Sequence, residues 1–134
     1  MDFSHKNVLV VGVGISGNAV AKVAKMQGAD KVVLSDAKAE QDLKYDLTDV
    51  RATGVELVFG PQENTLLDNV DMVILSPAVP VRIPLVQEAY KREIPVVSEV
   101  QVAYELAKSP ILAVTGTNGK TTTVTLLGEL MKTR

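Results

Sequence analysis

The chain has 134 residues, 46% hydrophobic and 22% charged, with 14 Lys+Arg against 16 Asp+Glu for a formal net charge of −2. That length predicts about one domain, and near-neutrality excludes the basic surface that nucleic acid or an anionic membrane demands. With no cysteine, a single histidine (His5) and no apolar run of about 18 residues, there is no basis for disulfides, thiolate metal sites, a histidine triad or a membrane-spanning helix, and a cytoplasmic setting is expected.

Asn7 to Gly14 is a continuous apolar run, as expected of a strand buried on both faces of a parallel sheet. A helix is predicted from Ser16 to Gln27, with Ala19, Val20, Val23 and Met26 at helical spacing and Gly28 as its stop. Lys31 to Asp36 is a second strand, Asp42 to Thr53 a helix ending at Gly54, and Val55 to Gly60 a third strand. Asn64 to Val70 is a weak helix or a loop. Asp71 to Pro77 is a fourth strand, stopped by Pro77 and Pro80. A helix from Pro84 to Arg92, a short strand from Pro95 to Ser98 and a helix from Glu99 to Lys108 follow. After Lys108-Ser109-Pro110, the one linker candidate, come a sixth strand (Pro110 to Gly116) and a last helix (Lys120 to Lys132). Short strands alternating with helices specify an α/β fold, a Rossmann-like doubly wound parallel sheet.

Two motifs carry chemistry. Gly12-Val13-Gly14-Ile15-Ser16-Gly17 is G-x-G-x-x-G between a predicted strand and a predicted helix. The first glycine permits the tight turn, the second lets a phosphate approach bare backbone, and the third lets helix and strand pack closely. The helix N-terminus offers free N–H groups to an anion. Asp36 ends the next strand about 20 residues on, where an acid often reaches a ribose hydroxyl, and Lys38 stands near enough to neutralise a phosphate. In an open doubly wound sheet the ligand crevice lies where strand order reverses, which would set this loop beside the Ser76–Pro80 turn.

The second motif, Thr115-Gly116-Thr117-Asn118-Gly119-Lys120-Thr121-Thr122, follows an apolar run and precedes a helix, as in a phosphate-cradling P-loop. Lys120 would reach the β/γ oxygens of a nucleotide and the Thr121 hydroxyl would ligate Mg²⁺. The first glycine of the general pattern falls on Val114, so Gly116 shortens the glycine spacing. Only residues 121–134 follow Lys120. A P-loop needs further strands to supply its magnesium acid. The expectation is therefore a piece of a longer enzyme, with 1–109 as one domain and 110–134 opening a second. An orphan strand with an apolar face also needs cover, so Ile111 and Leu112 are expected to pack on the domain or on a neighbouring copy. The residues alone leave open an NAD-binding module of an oxidoreductase or regulator, a P-loop kinase or ATPase, and a nucleotide-sensing domain.

Taken together, the motifs make the chain resemble the N-terminal part of the Mur ligases over essentially its whole length. The marks are Val10 to Gly17 (VVGVGISG), Asp36, Asp71 to Pro80 (DMVILSPAVP), Val97 to Glu105 (VSEVQVAYE) and Ala113 to Thr123 (AVTGTNGKTTT). The resemblance implies a first domain that holds the UDP part of a substrate, not NAD. Gly14, Ile15 and Ser16 would line the uridine-diphosphate site, Asp36, Ala37 and Lys38 the uracil and its surroundings, and Ala78 a substrate-side turn where the family commonly has glycine. Gly116, Thr117, Asn118, Gly119, Lys120, Thr121 and Thr122 would form the ATP loop, with Lys120 catalytic and Thr121 on Mg²⁺. Asn118 favours the D-glutamate-adding branch. The implied activity is ATP-dependent amide-bond formation between UDP-N-acetylmuramoyl-L-alanine and D-glutamate, in peptidoglycan precursor synthesis. The piece alone is expected to be inactive.

Overall fold

The computed structural model describes residues 1–133. Five strands, β1 (Asn7–Val11), β2 (Lys31–Asp36), β3 (Glu56–Phe59), β4 (Met72–Leu75) and β5 (Val96–Ser98), form one sheet in the order β3-β2-β1-β4-β5. Every neighbouring pair is parallel. The helices are α1 (Ile15–Met26), α2 (Thr48–Ala52), α3 (Pro84–Lys91), α4 (Glu99–Leu106) and α5 (Lys120–Lys132). This is the expected α/β architecture, with β1 at the centre and the reversal of strand order between β1 and β4.

The period-two alternation of a strand splits the apolar runs between two cores. Val8, Val10, Val32, Leu34 and Ile74 face one way and pack with Val20, Ala21 and Ala24 of α1, Val50 of α2 and Val102 of α4. Leu9, Val11, Val33, Val73 and Leu75 face the other way and pack with Leu85, Val86 and Ala89 of α3. Both faces of β1 are therefore covered, which is why its sequence is apolar without a break.

Two segments depart from the sequence-based expectation. The helix expected from Asp42 is only Thr48–Ala52, preceded by a 3-10 turn at Glu40–Asp42. The Asp46 carboxylate accepts from the backbone N–H and the hydroxyl of Thr48, an Asx-type bend that delays the helix start. Asn64–Leu67, in the stretch expected as a weak helix or a loop, is a 3-10 turn with Leu67 buried.

The second departure is the tail. Pro110 to Gly116 is not a strand and pairs with no strand of the sheet. Ile111 and Leu112 are 54% and 60% exposed, so the expected packing on this domain does not occur. No residue of α5 is buried. The edge strand β5 spans three residues and runs straight into α4, which leaves little ladder for a sixth strand to extend.

Candidate functional site

The cleft lies at the carboxyl ends of β1, β2 and β4, and the backbone of three turns builds it. Gly12 leaves β1 at φ 106°, in the region that favours glycine. Its N–H donates to the Ser35 carbonyl at 2.8 Å. A Cβ on Gly12 would lie 2.7 Å from Ser76 Cβ and 2.8 Å from Val79 Cγ2, so the glycine lets the β1 and β4 turns touch. A Cβ on Gly17 would lie 2.1 Å from the Gly12 carbonyl oxygen, so this glycine lets α1 close onto its own turn. Gly14 differs: an added Cβ would meet only Tyr45 Oη, at 4.0 Å. The open space in the loop is at the second glycine, where the motif calls for it.

Asp36 ties the turns together. Its Oδ2 accepts the Val13 N–H at 2.8 Å and its Oδ1 accepts the Lys38 N–H at 2.9 Å. Each oxygen keeps acceptor capacity for a ligand. Gly14 is the N-cap of α1, in extended backbone, with no side-chain cap and no acidic residue in the first turn of the helix itself. The first amides of α1 therefore keep their capacity to bind an anion.

The cleft measures about 490 Å³, and Gly14, Asp36, Lys38, Tyr45 and Ala78 are among its walls. An adjoining recess of about 170 Å³ adds Ala37, Gln62 and Pro80. The structure thus brings together Gly14, Asp36, Ala37, Lys38 and Ala78. It sets Ser16 at the start of a separate groove between α1 and α4, and leaves Ile15 81% exposed beside the cleft. The segment Asp42 to Tyr45, predicted as helix, instead lines the cleft as a loop. Sequence reasoning missed it. The Asp46-x-Thr48 bend was the available signal, because it moves the helix start past Tyr45. Gln62, also missed, donates to Ser35 Oγ at 3.0 Å.

The Gly116–Thr122 segment stands apart. Gly116 (φ 155°) and Gly119 (φ 74°) have positive φ, and Gly119 is the N-cap of α5 without a side-chain cap. Lys120 occupies the first helical position, exposed, with no ion pair among the described residues. The segment lines none of the cleft. Among the described residues no group of three His, Cys, Asp or Glu could hold a metal, and no helix is long and apolar enough to cross a membrane.

The chain spans 29% of the length of the curated relatives it matches first. One, the UDP-N-acetylmuramoylalanine--D-glutamate ligase of Pelotomaculum thermopropionicum, is 47% identical over 98% of this chain. Among solved structures, UDP-N-acetylmuramate-alanine ligase MurC from Thermotoga maritima superposes with a TM-score of 0.60 at 29% identity, covering 96% of this chain and 29% of that one. A pseudomurein peptide ligase type C from Methanothermus fervidus gives a TM-score of 0.63 at 25% identity, over 96% of this chain and 26% of that one. Residues 6–98, which hold the whole sheet and both walls of the cleft, match the Mur ligase MurD-like N-terminal domain, and the chain belongs to that family.

Proposed function

We propose that this chain is the N-terminal portion of a cytoplasmic ATP-dependent ligase that adds D-glutamate to UDP-N-acetylmuramoyl-L-alanine during peptidoglycan precursor synthesis. The observation that carries the reading is the cleft where Gly14, Asp36, Lys38 and Ala78 meet beside the uncapped start of α1. Residues 1–109 are the UDP-substrate domain, and 110–134 begin the central ATP-binding domain. The diphosphate lies on the amides of Gly14, Ile15 and Ser16, where the helix end favours negative charge. Asp36, Ala37 and Lys38 border the uracil, and Ala78 lies on the substrate side.

In the whole enzyme the substrate's alanine carboxylate attacks the γ-phosphorus of ATP. The bond to ADP breaks and an acyl phosphate forms. The amine of D-glutamate then displaces phosphate and loses a proton, closing the amide. Gly116 through Thr122 hold the ATP phosphates, and Lys120 offsets charge on the transferring group. The positive-φ turn and uncapped α5 suit phosphate oxygens, and the Thr121 hydroxyl in the first turn suits a hard cation. Bound Mg²⁺ supplies charge neutralisation.

Calorimetric titration of residues 1–134 with UDP, NAD and ATP tests the reading. UDP binding that is lost on blocking Gly14, with no NAD binding, is the expected result. NAD binding in its place returns the chain to the oxidoreductase reading. Turnover of all three substrates by the isolated chain would refute its inactivity.

A further inference from the structure

Glu99 is the first residue of α4 and is 6% exposed. Neither carboxylate oxygen has a hydrogen-bond partner. Burying a carboxylate without a partner is costly unless something else offsets its charge. Two helix ends provide that offset. The carboxylate sits in the first turn of its own helix, and Oε1 lies 3.5 Å from where a Cβ on Gly17 would stand, in the first turn of α1. The N-termini of both helices therefore converge on one carboxyl side chain. The groove between these helices, about 330 Å³, is otherwise almost wholly apolar, lined by Val20, Val23, Val102 and Leu106. Apolar walls weaken the screening of the charge.

α1 has no acidic residue in its own first turn, so its uncapped N-terminus would present its full positive potential to a ligand. Glu99, on the neighbouring helix, brings a second carboxyl to this helix end, besides that of Asp36 on the Val13 N–H. The Glu99 oxygens expose less than 1 Å² each, so a ligand in the cleft does not touch them.

We infer that Glu99 is a resident counter-anion for the α1 N-terminus, a positioning residue that sets how tightly the glycine loop holds a diphosphate. This deepens the proposed UDP site and rests on that reading for the identity of the ligand. The carboxylate stabilises the loop before ligand arrives and then opposes the incoming phosphates. Removing its charge without changing its shape tightens anion binding and leaves neutral contacts alone.

The test titrates the wild-type chain, Glu99→Gln and Glu99→Asp with inorganic pyrophosphate, UDP and uridine. Glu99→Gln is expected to bind pyrophosphate and UDP about tenfold more tightly, with uridine unchanged and Glu99→Asp close to wild type. A merely structural role would move uridine and UDP together. The inference is overturned if Glu99→Gln binds pyrophosphate equally or more weakly, if uridine shifts by the same factor, if Glu99→Asp tightens as much as Glu99→Gln, or if neither wild type nor Glu99→Gln binds pyrophosphate. Pyrophosphate behaving as stated while UDP binds to none of the three would leave the inference standing and remove the UDP reading.

Discussion

The carboxylate of Asp36 accepts the backbone N–H of Val13 at 2.8 Å, joining the end of β2 to the glycine turn after β1. With the Lys38 N–H on its other oxygen, one half-buried side chain fixes two turns that form the cleft floor. Asp36→Ala is expected to cost about 1.5–3 kcal/mol, the range for hydrogen bonds to a charged group, in urea unfolding. It should also weaken UDP binding. Asp36→Asn keeps one acceptor and is expected to fall between the two.

The second and third glycines of the motif make a paired test. A methyl at Gly17 meets the Gly12 carbonyl oxygen at 2.1 Å, and backbone cannot move away cheaply. Gly17→Ala is expected to destabilise by about 1–3 kcal/mol, as overpacking does, and to abolish UDP binding. Gly14→Ala meets only Tyr45 Oη at 4.0 Å from extended backbone, so its melting temperature should stay near that of wild type. Its UDP affinity should still fall, because the methyl occupies the side from which a phosphate approaches.

Tyr45 is 42% exposed at the wall of the cleft, so its ring contributes little to the core. Tyr45→Ala is expected to leave stability within about 0.5 kcal/mol of wild type. UDP affinity should drop while pyrophosphate affinity holds, if the ring covers the nucleoside. Equal loss for both ligands would place the ring against the phosphates.

Asp46 gives a pH dependence whose sign is fixed. Hydrogen bonds from the Thr48 hydroxyl and then from its backbone N–H hold the carboxyl below its ordinary value in the folded chain. The unfolded chain binds the proton first as pH falls. The contribution of Asp46 is thus complete above the ordinary carboxylate value and is lost as pH drops through the lowered folded value. A thermal-melt series should show wild type losing stability relative to Asp46→Asn across that acid window, and a constant difference above it.

The described residues beyond α4 bury almost nothing, so their removal should cost the domain almost nothing. A chain ending at Ala107 is expected to unfold within about 0.5 kcal/mol of the full chain. Trypsin should cut first after Lys108 or Lys120, both exposed, leaving a resistant core. A substantial loss of stability on truncation would mean that the tail packs.

The parallel sheet was legible because unbroken apolar runs at Val8–Val11, Val32–Leu34 and Met72–Leu75 recur between helical stretches, and two-sided burial is what such runs require. The crevice followed from topology, since the loop after β1 and the turn after β4 must be neighbours wherever strand order reverses. The Asp42–Tyr45 wall was not legible from hydrophobic spacing alone, because local hydrogen bonding at Asp46 overrode the helical tendency upstream of it. The run Ile111-LAV failed as a strand for a different reason. Apolar composition shows that a segment seeks cover, but pairing depends on a neighbour with free ladder groups, and the three-residue edge strand β5 offers little there. Glu99 gave no signal of its burial, since an acid opening a helix is ordinarily a solvated one.

The exposed α5 has a thermodynamic corollary for the two glycine loops. Sites communicate only through an element whose equilibrium both can bias. With no buried residue in α5, and both Ile111 and Leu112 in solvent, no such element among the described residues joins Gly14 to Lys120. A ligand on one loop should leave the affinity of the other unchanged, so the coupling free energy in this chain is close to zero.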